Sequence, residues 1–192
     1  MTKYDNMPLT DRDIETLFKS GIIYSYGRDH CFRPIFIINV HRLNDLFSKN
    51  KNLRSKIVYQ FFIKFFKKNF VVEGKIENFI LIIDQKTISK QNLSFNHFNK
   101  VTKLLHRSPE FTTAIYRCYI LNNDYSILKI VLEFTHFSSN DWSKKFIVTQ
   151  KNSDIKMWNH ISKNQMEKKY GGNVDDLEKD FWPCRIPNYN FF

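Results

Sequence analysis

Phe79-Ile80-Leu81-Ile82-Ile83 is a run of five apolar residues closed by Asp84. An unbroken apolar run of this length fits a strand covered on both faces, as in the middle of a parallel sheet. Upstream, Pro34-Ile35-Phe36-Ile37-Ile38 has the same character. Downstream come Cys118-Tyr119-Ile120-Leu121, closed by Asn122, and then Phe146-Ile147-Val148. Helical patterns separate these segments. Strands alternating with helices predict an α/β domain with a mainly parallel, mixed sheet flanked by helices.

The segments around this frame read in the same way. Thr10 can cap a helix whose first turn holds Asp11 and Asp13. Ile14, Leu17 and Phe18 give that helix one apolar stripe, which ends at Ser20-Gly21. Ile22 to Tyr26, the turn at Gly27-Arg28-Asp29-His30, and the strand opened by Pro34 read as a hairpin-like edge unit. Residues 43–70 carry the clearest helical pattern. Leu46/Phe47, Ile57/Val58, Phe61/Phe62 and Phe65/Phe66 recur at helical spacing, and Lys56, Lys64, Lys67 and Lys68 fill the other side. The polar stretch Ser48 to Asn52 bends or breaks this helix. Further helices are expected over 90–107, 126–137 and 154–162. Residues 1–21 are read as an N-terminal helix, 22–173 as the main domain, and 174–192 as a surface tail with Trp182-Pro183 as its anchor.

Composition bounds the function. A chain of 192 residues suits one domain with a real core. The net charge of +11 points to an anionic partner: nucleic acid, an anionic membrane or an acidic protein. The cations concentrate in residues 43–70 and 86–107, while Asp175, Asp176, Glu178 and Asp180 reverse the sign near the C-terminus. The 19 phenylalanines fit either a Phe-rich ligand pocket or a base-composition bias in the genome. Cys31, Cys118 and Cys184 are widely spaced and odd in number, without a CxxC or zinc spacing, so free thiols in a reducing cytosol are expected. Met1 to Leu9 is polar and does not read as a signal peptide. A cytoplasmic protein that touches membranes transiently is the expected setting.

Enzyme motifs are missing. There is no Gly-x-Ser-x-Gly, Walker loop or GxGxxG. A Cys-based phosphatase needs a phosphate-cradling loop between its Cys and Arg, whereas only Phe32 separates Cys31 from Arg33. The histidines stand apart, without metal-ligand spacing. No RNP-like, zinc-finger or helix-turn-helix wording supports nucleic acid. No catalytic residue, metal or cofactor is assigned.

Five pieces of sequence in order carry a resemblance. They are Gly27-Arg28-Asp29-His30-Cys31-Phe32-Arg33-Pro34-Ile35, Ile82-Ile83-Asp84, Tyr119-Ile120-Leu121-Asn122-Asn123, Ser143 to Val148, and Met166 to Tyr170-Gly171-Gly172. Together they resemble the CRAL-TRIO lipid-binding domain of phosphatidylinositol-transfer and retinaldehyde-binding proteins, over about residues 22–173. Phe32 stands where that family usually has Gly. Only about 20 residues precede the match, so it looks like a minimal form without the family's N-terminal helical subdomain, or a truncated piece of a longer chain. The resemblance implies an apolar pocket with a sheet face as floor and a gate helix as lid. Alternating strand positions supply its candidate lining: Phe36 and Ile38 share one side of their strand, Ile80 and Ile82 one side of theirs, and Tyr119 and Leu121 one side of theirs. The side that faces ligand stays open. By position the gate is Ile127 to Phe137, with Val131, Leu132, Phe134 and Phe137. Lys144 falls where family members that hold phosphatidylinositol have a headgroup Lys, but their Glu has no counterpart near Thr113. The expected ligand is a phospholipid or other hydrophobic molecule, and the expected surface is an anionic membrane. The alternative is a protein-interaction module on the same fold, as in domains attached to GTPase regulators.

Overall fold

The computed structural model describes residues 11–49, 55–72, 75–76, 78–85, 109–121, 144–148 and 155–181. Its centre is a five-stranded mixed sheet. The members are β1 (Ile23–Arg28), β2 (Pro34–Asn39), β5 (Phe79–Asp84), β6 (Ile115–Leu121) and β7 (Phe146–Val148), side by side in that order. β1 pairs antiparallel with β2, and the other neighbours are parallel. Two-residue strands β3 (Val71–Val72) and β4 (Lys75–Ile76) form a separate pair.

Every residue of β5 is buried, including Asp84. That is the consequence of its central place: one face meets helices and the other meets the C-terminal segment. β1 is an edge strand. Its register slips between Ser25 and Arg28, and a bulge there increases the local twist of the hairpin.

Helix α1 (Asp11–Lys19) buries Leu17 and Phe18, two members of its expected stripe. The long helical pattern divides into α2 (Val40–Lys49) and α3 (Ser55–Phe70), with the division at the polar stretch. α3 buries Val58, Phe61, Phe62 and Phe65 and leaves Lys56 and Lys64 exposed. α4 (Pro109–Ala114) leads into β6, and Phe111 and Ala114 are its buried contacts. The helix expected over 154–162 is shorter. α5 (Ile155–Trp158) lasts one turn, and the chain then runs along the sheet through 3-10 turns at Lys163–Gln165 and Lys168–Tyr170. Residues 90–107 and 126–137 lie outside the described residues. No helix among the described residues is long and apolar enough to cross a membrane.

Residues 174–181 open the segment expected as a surface tail, and Asp175, Asp176, Glu178, Lys179 and Asp180 are exposed there. Val174 and Leu177 pack against the core, and Phe181 is buried. The Phe181 ring lies 5.1 Å from that of Tyr24, under the Arg42 guanidinium. Its backing is Gly21, where a Cβ would come within 2.5 Å of the ring. Phe181 therefore anchors the segment; Trp182 and Pro183 lie outside the described residues.

Candidate ligand-binding site

Register decides which side chains share a surface. β2 and β5 pair Ile35 with Ile80 and Ile37 with Ile82, while Phe36 meets Leu81 and Ile38 meets Ile83. β5 and β6 pair Leu81 with Cys118 and Ile82 with Tyr119. Two apolar cores follow, one on each face. Phe36, Ile38, Leu81, Ile83, Cys118 and Ile120 face α1 to α4. Ile35, Ile37, Ile80, Ile82, Tyr119 and Leu121 face the C-terminal segment.

The residues expected to line one pocket are thus split. Phe36 and Ile38 lie on the helical face, and Ile80, Ile82, Tyr119 and Leu121 lie on the opposite face. The physical reason is the offset of the parallel ladders, which places the odd positions of β2 beside the even positions of β5. Leu81, Ile83, Cys118 and Ile120 are the partners of Phe36 and Ile38 that alternation within single strands did not reveal. Val131, Leu132, Phe134 and Phe137 lie outside the described residues. Lys144 is exposed at the start of β7, and Thr113 is exposed just ahead of β6.

On the helical face, packing varies along the sheet. At the β2–β5 end it is an aromatic lattice. Phe36 meets Phe79 edge-on at 5.1 Å and Phe65 at 5.8 Å, Phe18 meets Phe61 at 5.0 Å, and Phe79 meets Phe111 at 5.6 Å. Such pairs add about 0.5–1.5 kcal/mol each beyond area burial. At the β6–β7 end, Cys118 and Ile120 are buried, but Phe146 and Val148 are only half-buried. Burial in this apolar setting pushes the Cys118 thiol up, so it behaves as a small hydrophobe.

The opposite face is closed by polar locks. Glu167 is fully buried. Its carboxylate accepts from the Tyr24 hydroxyl at 2.8 Å, from Lys169 Nζ at 2.6 Å and from the Leu177 amide at 2.7 Å. The Tyr170 hydroxyl donates to the Asp84 carboxylate at 2.9 Å. Tyr119 Oη lies 2.7 Å from His160 Nδ1, so this expected pocket residue is held within the fold. Burial, with the neighbouring charge of Glu167, lifts the Tyr24 hydroxyl well above the usual tyrosine range. Burial again leads at Tyr170, with Tyr24 and Asp84 adding to it.

The glycines of the motif serve this closure. Gly171 has φ of 89° and ends a 3-10 turn. Gly172 allows close approach: a Cβ there would lie 1.9 Å from the Met166 carbonyl oxygen. Tyr170-Gly171-Gly172 is therefore a structural clasp that seats the chain on the sheet.

The comparisons agree with this geometry. A family model for the CRAL/TRIO domain matches residues 18–172. No curated protein matches the sequence. Among solved structures, the crystal structure of Sfh5 is similar with a TM-score of 0.62 at 13% identity. The likeness covers 91% of this chain and 61% of that chain, so this chain spans about three fifths of its length. A five-stranded mixed sheet, helices on one face, the Tyr-Gly-Gly clasp on the other, and a family match over most of the chain have one conclusion: the chain belongs to the CRAL/TRIO domain family, a family of lipid-binding and lipid-transfer proteins.

Proposed function

We propose that this protein binds a phospholipid or another hydrophobic molecule on the helical face of the sheet and carries it between membranes. The family match over residues 18–172 is the observation that carries the proposal. The two faces favour one side for the ligand. The Glu167 and Tyr170 locks fill the C-terminal face, whereas α3 and α4 pack on the helical face. Cys118, Ile120, Phe146 and Val148 would form the floor, with Phe36 and Ile38 deeper in the same face. Each methylene removed from water adds about 0.8 kcal/mol, so acyl chains can be held with few polar contacts. By resemblance the gate carries Val131, Leu132, Phe134 and Phe137, and Lys144 stands at the mouth. The exposed Lys56 and Lys64 of α3 suit an anionic membrane.

A fluorescent-lipid transfer assay tests the proposal. Leu132→Asp sets a carboxylate against the acyl chain, where an unpaired charge is costly. The variant is expected to fold by circular dichroism and to lose transfer by an order of magnitude or more. A folded variant with wild-type transfer removes the gate assignment. A wild-type protein without transfer, yet retaining a protein partner, supports the interaction module instead.

A further inference from the structure

The tip of the β1–β2 hairpin lies at the end of the sheet from which β2, β5, β6 and β7 all start. Phe32 occupies that tip, 59% exposed, and is the one exposed large apolar side chain among the described residues. Its φ is 63°, a conformation that bulky side chains rarely adopt. The position thus opposes two preferences at once, that of apolar surface for burial and that of a non-glycine residue for negative φ.

The mount beneath Phe32 is held by a cluster of hydrogen bonds. The Asp29 carboxylate accepts from the Cys31 amide at 2.9 Å, the Arg33 amide at 2.7 Å and Arg33 Nη1 at 3.0 Å. The His30 amide donates to the His160 carbonyl at 2.9 Å, and the Arg28 amide to Gln165 Oε1 at 3.2 Å.

The surroundings are cationic and aromatic. Arg28 Nη1 donates to the Phe32 carbonyl at 2.7 Å. Arg33 lies 3.6 Å over the Tyr116 ring, and Arg117 lies 5.1 Å from the same ring while donating to the Lys144 carbonyl. Lys163 is 5.6 Å from the half-buried Trp158 ring, and Lys144, Lys156 and Lys163 are exposed. Among the described residues, the acids near this end are Asp29, buried against Arg33, and Glu110, placed in α4 ahead of β6.

We propose that this end of the sheet is a docking surface for an anionic bilayer. Phe32 enters the interface, and Arg28, Lys144, Lys156 and Lys163 lie at headgroup level with Trp158 beside them. Aromatic residues favour this boundary, and cations near it draw anionic lipid. A nucleic acid duplex would meet the cations and leave the phenyl ring in water; a bilayer takes both. The proposal deepens the lipid-carrier function and rests on it for its purpose, while its test is separate.

The test is cosedimentation of the full chain with phosphatidylcholine vesicles, with and without phosphatidylserine, at low salt. Phe32→Gly removes the ring and relieves the backbone, so its melting temperature should equal or exceed wild type. Its partition onto anionic vesicles should fall about tenfold, while Phe32→Trp keeps wild-type partition. Lys156→Glu with Lys163→Glu should lower partition about fivefold or more per charge removed. Phe32→Gly sedimenting as wild type, or wild type ignoring anionic vesicles and retaining duplex DNA instead, overturns the proposal. Lipid content of the purified protein is measured alongside: vesicle binding by a lipid-free protein overturns the carrier function and leaves the docking surface standing.

Discussion

Single residues at the turns decide how the two faces close. Gly172 lacks a side chain because the Met166 carbonyl occupies that space, not because its own φ is positive. Gly172→Ala must push the clasp off the sheet and is expected to lose about 1–3 kcal/mol of stability. A denaturant midpoint unchanged from wild type would show that the clasp has slack. Phe32 illustrates what residue-level reading can and cannot find. Its place in the hairpin motif marked it as standing where the family has Gly, and the positive φ supplies the physical reason for that Gly. The locks of Glu167 with Tyr24 and of Tyr170 with Asp84 join residues 143 and 86 positions apart, and no local pattern announces such pairs.

At the level of elements, the apolar runs were legible because central parallel strands bury both faces and so omit polar residues. β2, β5 and β6 fall on such runs, whereas β7, at the edge of the sheet and half-buried, carries only three apolar residues. The division of α2 from α3 was legible in the polar stretch between them. The assignment of side chains to a pocket was not, because alternation within a strand sets which residues share a side but not the register between strands. That is why Phe36 and Ile38 were grouped with Ile80, Ile82, Tyr119 and Leu121, although the sheet separates them. Neighbouring positions on β6 now separate the two faces by experiment. Ile120→Phe intrudes on the helical face and is expected to lower lipid content severalfold. Leu121→Phe overfills the clasped face and should reduce stability by about 1–3 kcal/mol without changing lipid content per folded molecule. Equal lipid content in both variants, measured by extraction, would place the ligand elsewhere.

Across the whole molecule, the buried tyrosine locks tie stability to alkaline pH. Both hydroxyls are held above the usual tyrosine range in the folded protein. In the unfolded chain they ionise near pH ~10. The folded state therefore holds more protons above that pH, and stability that is full below it declines as pH rises. The slope is up to ~1.4 kcal/mol per pH unit for each tyrosine. Urea unfolding from about pH 9 to about pH 11 measures the decline, and Tyr170→Phe should make it shallower. A parallel decline in the variant would assign the effect to other groups.

The most direct test of the central claim is organic extraction of the purified protein followed by mass spectrometry. A lipid carrier of this family should release one hydrophobic molecule per chain, reduced in Ile120→Phe and retained in Leu121→Phe. A folded protein that yields no lipid, and takes none up from vesicles, would contradict the claim and leave a CRAL/TRIO fold used for another purpose.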